Sequence, residues 1–153
     1  MALYGGSITQ TCGGLFNTNT VMADLKAGPY NYTSLFECTI TAPITIISLP
    51  QAMLTLGRSV SECFQLYPTY LQSYELGDVA SLSSLAQAWS VSPTFPNVML
   101  RRYPIQTGSG GYGVIWSFPR GLRIAPSNSI CFCMPAFGQQ QPGQYLINAE
   151  VDE

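Results

Sequence analysis

Hydrophobic and polar positions alternate with a period of two along much of this chain, most plainly from Tyr112 to Ala136. Tyr112, Val114, Trp116 and Phe118 fall two apart, which puts three aromatics and a valine on one strand face and Gly113, Ile115 and Ser117 on the other. Pro119 and Gly121 interrupt the alternation, Leu122 and Ile124 resume it, and Ala125-Pro126-Ser127-Asn128 is a turn-forming cluster. Ile130, Phe132 and Met134 then alternate with Cys131 and Cys133. Both sets are apolar, which predicts a strand buried on both faces.

The rest of the chain reads as further short strands. From Thr33 the pattern places Phe36, Cys38 and Ile40 inward and Glu37, Thr39 and Thr41 outward, ending at Ala42-Pro43. The runs Ile44–Leu49 and Ala52–Leu56, separated by Pro50, favour short strands or an edge segment over helix. Val60–Leu66 alternates with Val60, Glu62, Phe64 and Leu66 on one side, and Asn97–Ile105 reads as a strand carrying an exposed Arg101. One helix is predicted, from Val79 to Trp89 with Asp78 as its cap; Leu82, Leu85, Ala86 and Trp89 would face inward and Ser81, Ser83, Ser84 and Gln87 outward. In the last strand Tyr145, Ile147, Ala149 and Val151 alternate with Gln144, Leu146, Asn148 and Glu150. Residues 1–30, with Gly5-Gly6, Gly13-Gly14, Gly28-Pro29 and little periodicity, are expected to be an N-terminal arm or loops that contact a neighbouring chain. The predicted fold is therefore all-β: a jelly-roll-like antiparallel β-sandwich over residues 31–153, with at most one short helix and Trp116, Phe118, Ile130, Phe132 and Ile147 in its core.

Composition narrows the function. Only 9% of the 153 residues are charged, against roughly 25% in an ordinary soluble protein, while 46% are hydrophobic. So neutral a surface suits either a polar β-rich protein or a subunit largely covered by neighbours, and the second is expected here. The net charge is −2 and no basic run exceeds the Arg101-Arg102 pair, which argues against nucleic acid as a partner. No apolar stretch approaches the roughly 18 residues of a membrane-spanning helix, and the first residues do not read as a secretory signal, so the Asn31-Tyr32-Thr33 sequon is expected to be fortuitous.

Candidate chemistry is sparse. The chain has no histidine, which rules out Ser-His-Asp and Cys-His mechanisms, and nothing in the sequence sets two of Glu62, Glu75 and Asp78 across a cleft as a glycosidase pair. Gly108 to Gly113 satisfies a G-x-G-x-x-G spacing, but a strand rather than a helix follows, so a hairpin loop is the expected structure. The five cysteines, Cys12, Cys38, Cys63, Cys131 and Cys133, form no zinc pattern and are expected to be mostly buried apolar side chains; disulfides in an extracellular particle, or a C-x-C contribution to a metal site, are the alternatives. No catalytic residue, cofactor or metal is expected.

The order W-S-F-P-R-G-L-R-I-A-P-S-N-S-I-C at Trp116–Cys131, followed after a loop by a strand running into the acidic Glu150–Glu153, resembles the C-terminal half of small jelly-roll proteins of tailed bacteriophages. The likeness covers about the last third of the chain, and more loosely Leu35–Pro43, and its motifs are packing and turn patterns. It implies a virion protein, made in the host cytoplasm, that decorates or cements the capsid surface or forms part of a head fibre. The major capsid protein would be its partner, and it would commonly be a homotrimer. The alternative function is a carbohydrate- or host-receptor-binding module of a virion, with Trp89, Trp116 and the tyrosines from Tyr67 to Tyr74 as a possible platform for a surface glycan. Candidate intersubunit or ligand contacts are Tyr4, Leu15, Phe16, Tyr67, Tyr70, Tyr74 and Arg101.

Overall fold

The computed structural model describes residues 3–15, 20–42, 53–58, 64–91, 94–104, 112–134 and 139–153. In chain order the strands are β1 (Leu3–Leu15), β2 (Thr20–Lys26), β3 (Thr33–Ala42), β4 (Met53–Arg58), β5 (Phe64–Leu66), β6 (Thr69–Tyr70), β7 (Gln72–Ser73), β8 (Ser84–Ala86), β9 (Ala88–Val91), β10 (Val98–Pro104), β11 (Tyr112–Ile124), β12 (Ser129–Met134) and β13 (Gln139–Asp152). They form a five-stranded sheet in the order β11-β3-β13-β1-β7, a six-stranded sheet in the order β10-β4-β12-β2-β8-β6, and a separate β5-β9 ribbon. Every pairing is antiparallel. The arrangement is a jelly-roll-like sandwich, as the alternation predicts.

One core lies between the large sheets. Ile8, Leu35, Ile40, Trp116, Ile147 and Val151 come from the five-stranded sheet; Ala23, Leu25, Leu56, Leu85, Ile130 and Phe132 come from the six-stranded one. All five expected core residues are buried. Burial holds on both faces of β12 as well, since Cys131 and Cys133 are covered like Ile130 and Phe132. In β3 the expected inward Phe36 is only half-buried, and Leu35 takes the inner position. The reason is a bulge: Glu37 pairs Glu150 and Leu35 pairs Val151, leaving Phe36 as the extra residue that reverses the alternation.

Two expectations are corrected. Within the expected N-terminal arm, residues 1–30, the described strands Leu3–Leu15 and Thr20–Lys26 do not stand beside the sandwich. β1 lies inside the five-stranded sheet, paired along its length with β13, and β2 lies inside the six-stranded sheet between β12 and β8. Alternation is faint in β1 because glycine fills an inward position: a Cβ on Gly6 would sit 2.5 Å from Leu71 Cδ2, so the missing side chain is replaced by one from another segment. It is absent from β2 because Met22, Ala23, Asp24 and Leu25 are all buried.

The helix expected from Val79 to Trp89 is extended chain containing β8 and β9. Its serines, expected to face solvent, are buried at Ser81, Ser83 and Ser84, while Leu82, expected inward, is exposed. Local hydroxyl bonding competes with the helix. Ser81 Oγ accepts from Ser83 N–H at 2.8 Å and is bonded to Glu153, Ser83 Oγ meets Thr33 Oγ1, and the backbone bonds run to Leu71. Asp78 caps no helix; its N–H closes a turn on Glu75 O at 3.2 Å.

Candidate functional site

The six-stranded sheet carries a further layer on its outer face. Successive residues of a strand point to opposite faces, so with Ala23 and Leu25 in the sandwich core, Asp24 and Lys26 project outward. Asp24 is nevertheless fully buried. The β5-β9 ribbon covers it: Trp89 Nε1 donates to Asp24 Oδ1 at 2.7 Å, and Gln65 Nε2 lies 3.1 Å from each carboxylate oxygen. The same Gln65 amide accepts a bond from Ser84 Oγ in β8, so the ribbon is tied to two adjacent strands of the sheet. Burial pushes the Asp24 carboxyl up to about 6, against the opposing pull of the Trp89 and Gln65 hydrogen bonds and the nearby Lys26 charge. With both oxygens engaged and no exposed surface, this carboxylate acts as a clasp.

Beside the clasp lies a groove of about 470 Å³, whose lining includes Lys26, Pro29, Phe64, Pro68, Tyr70 and Leu82. Its walls mix apolar and aromatic side chains with Gln65, Ser84, Ser90 and Ser127, and the Lys26 ammonium lies 5.8 Å from the centroid of the Phe64 ring. Phe64, Tyr70 and Leu82 are exposed. Farther along the same stretch of chain Tyr67 is 89% exposed, Leu76 100% and Val79 83%. A second cavity, of about 450 Å³, lies where Leu100 of β10, Leu122 of β11 and Ile130 of β12 approach one another.

The candidate contact residues do not converge on one surface, although the β1-β7 pairing sets Tyr4 and Tyr74 close together. Tyr70 lines the groove, and Tyr67 is exposed with a left-handed φ of 50°. Tyr74 is exposed, but it lies against Gly5, where its ring takes the space of a missing side chain, and its hydroxyl donates to Glu150 Oε2 at 3.4 Å. Partial burial, then the Glu150 charge, raises its pKa. Arg101 is used within the chain: its guanidinium stands 5.2 Å from the Phe118 ring centroid, and Nη1 donates to Leu100 O at 2.8 Å. Tyr4 is half-buried and packs against the core. Leu15 sits in β1 opposite Gln139, and Phe16 lies outside the described residues. Of the proposed glycan platform, Trp116 is core and Trp89 is turned to Asp24.

The groove and clasp residues Lys26, Phe64 and Gln65, with Asp24, were not signalled as a site. One sign is present: Asp24 is a lone acid inside the apolar run Val21-Met22-Ala23-Asp24-Leu25, and a buried acid requires partners. Cys38, Cys131 and Cys133 are buried thiols, and burial pushes Cys38 and Cys133 up to about 12, so both stay protonated and unreactive. Cys63, Glu62 and the Gly108–Gly111 loop lie outside the described residues. Among the described residues no group of three His, Cys, Asp or Glu side chains is placed to hold a metal ion, and no helix is long and apolar enough to cross a membrane. Compared with known families and with curated proteins, the sequence matches none.

Proposed function

We propose that this chain is a non-enzymatic structural protein of a virion that decorates a capsid shell and stabilises it, with the major capsid protein as its partner. The observation that carries the reading is the exposed apolar surface of residues 64–91, where Phe64, Leu66, Tyr67, Tyr70, Leu76, Val79, Leu82 and Val91 all stand open in a chain with 9% charged residues. So many exposed large apolar side chains in one stretch of a weakly charged chain suit a face covered by protein. The resemblance of the C-terminal third to phage decoration proteins supplies the shell and the virion surface as location, and implies an assembly of identical chains. Binding that prefers the assembled shell stabilises it by mass action. The test compares particles with and without the protein for DNA retention under heat or chelator. Equal retention rejects the reading.

A glycan- or receptor-binding role is the second reading, and the groove beside Tyr70 and Phe64 supports it, because exposed aromatic faces in a concave site can stack on sugar rings. Loss of host adsorption, with shell stability unchanged, in particles carrying Tyr70→Ala would favour it.

A further inference from the structure

Among the described residues the two large sheets end on four edge strands, β7 and β11 in one and β6 and β10 in the other. Three of the four carry features that discourage pairing with another chain. β6 and β7 have two residues each, and Pro68 precedes β6. β10 is bulged at Leu100, presents exposed Arg101 and Arg102, and ends in Pro104.

β11 differs. From Tyr112 to Ser117 it pairs with β3 in unbroken register, Tyr112 with Ala42 through Ser117 with Glu37. These six residues include no charge and no proline, and Ile115 in their centre is 63% exposed. The register shift, Pro119 and Arg120 come only after Ser117. A regular, neutral, apolar edge left in this state is a template for a further strand.

We propose that this edge pairs antiparallel with the same edge of a second copy of the chain, about a two-fold axis at Ile115. The sequence is self-complementary in that register. Gly113 stands opposite Ser117 of the second copy and Val114 opposite Trp116, so small residues meet on the outer face and apolar residues on the core face. The two Ile115 side chains become direct cross-strand neighbours, with Cβ atoms about 5 Å apart. Arg120 of each copy falls beyond opposite ends of the paired segment, roughly 30 Å from its counterpart, so like charges do not oppose the contact. Two five-stranded sheets become one continuous sheet. The contact lies between copies of this chain and holds whether or not the pair sits on a shell; being isologous, it closes at two and competes with the threefold state that the family resemblance implies.

Light scattering or sedimentation of the full chain tests the contact. The wild type is expected at the mass of two chains. Ile115→Lys and Ile115→Glu are each expected at the mass of one chain with an unchanged circular dichroism spectrum, because two like charges would face each other across the axis. An equal mixture of the two variants is expected to return to the mass of two chains. Ile115→Thr, which keeps the β-branched shape, is expected to fold and to raise the dissociation constant. A one-chain mass for the wild type, a mass that Ile115→Lys leaves unchanged, or a mixture that stays at one chain would each overturn the two-fold contact. So would a Thr variant that associates as tightly as the wild type. Recovery of the mixture cannot come from a foreign peptide seated on the edge, so that occupant is separated by the same experiment.

Discussion

Trp89 and Asp24 are joined by a 2.7 Å hydrogen bond from the indole N–H to a carboxylate oxygen that has no contact with solvent. This bond, with the amide of Gln65, is what fastens the outer ribbon to the six-stranded sheet. Removing one neutral donor from a buried carboxylate leaves part of its charge without a hydrogen bond, so the clasp is harder to edit from one side than to replace whole. Trp89→Phe, which keeps an aromatic ring but removes the indole N–H and part of the packing, is expected to cost at least about 1.5–3 kcal/mol, the range for the lost hydrogen bond to a charged group alone. Urea unfolding at pH 7 measures it.

The raised pKa of Asp24 has a stability consequence of defined sign. Its folded value of about 6 lies above the ordinary 3.8, so the folded state holds more protons than the unfolded state between these limits. The stabilising contribution is complete below about pH 4 and is lost as pH rises through 6, amounting to no more than about 3 kcal/mol. Asp24→Asn keeps an oxygen for Trp89 and removes the titration. The difference in stability between variant and wild type is therefore expected to grow in the variant's favour from pH 4 to pH 7. A difference flat across this range would contradict the account.

Trp116 lies in the first half of β11 with its side chain in the core. Trp116→Ala is expected to cost roughly 3–5 kcal/mol, the usual size for truncating a buried aromatic. Equilibrium unfolding with tryptophan fluorescence from Trp89 follows the loss.

Glycine positions separate space from backbone geometry. A Cβ on Gly57 would run into the ring of Pro96, a neighbour that cannot turn aside, so Gly57→Ala is expected to cost about 1–3 kcal/mol by overpacking. Gly77 has a φ of +97° and open space around it, so Gly77→Ala should lose only about 1 kcal/mol, through strain. Thermal melts of the two variants rank them.

Removing residues 1–11 takes most of β1 from between β13 and β7 and strips Ile8 from the core. The shortened chain is expected to lose its cooperative thermal transition. A melting temperature equal to that of the full chain would show that β1 is dispensable.

What the sequence made legible depended on how a strand is covered. β11, β12 and β13 were readable because a core face of aromatic or branched residues keeps its period. β1 was not, because at Gly5 and Gly6 the covering groups come from Tyr74 and Leu71, which no local pattern can announce. The segment from Ser81 to Trp89 imitates a helix because its leucines and serines happen to fall at helical spacing, whereas tertiary partners for three serine hydroxyls decide the outcome. The candidate site was largely hidden for the same reason. Tyr70 was visible as an aromatic, but Asp24, Gln65 and Phe64 converge only after β2 and the ribbon have packed together.

The pairing of β1 with β13, Leu3 opposite Asp152, also fixes the order of events on the ribosome. At roughly 5–20 residues per second, β1 emerges and then waits on the order of ten seconds for its partner to be translated. During that interval it is an unsatisfied strand among crowded nascent chains. A run with glycine at positions 5, 6, 13 and 14 and hydroxyls at Ser7, Thr9 and Thr11 is a poor seed for aggregation, which gives its bland composition a purpose in synthesis. Ser7→Val with Thr9→Val, both at exposed positions, is expected to leave the melting temperature within a few degrees of wild type while lowering the soluble fraction made in cell-free translation. Equal soluble fractions would leave the composition of β1 to be explained by its packing alone.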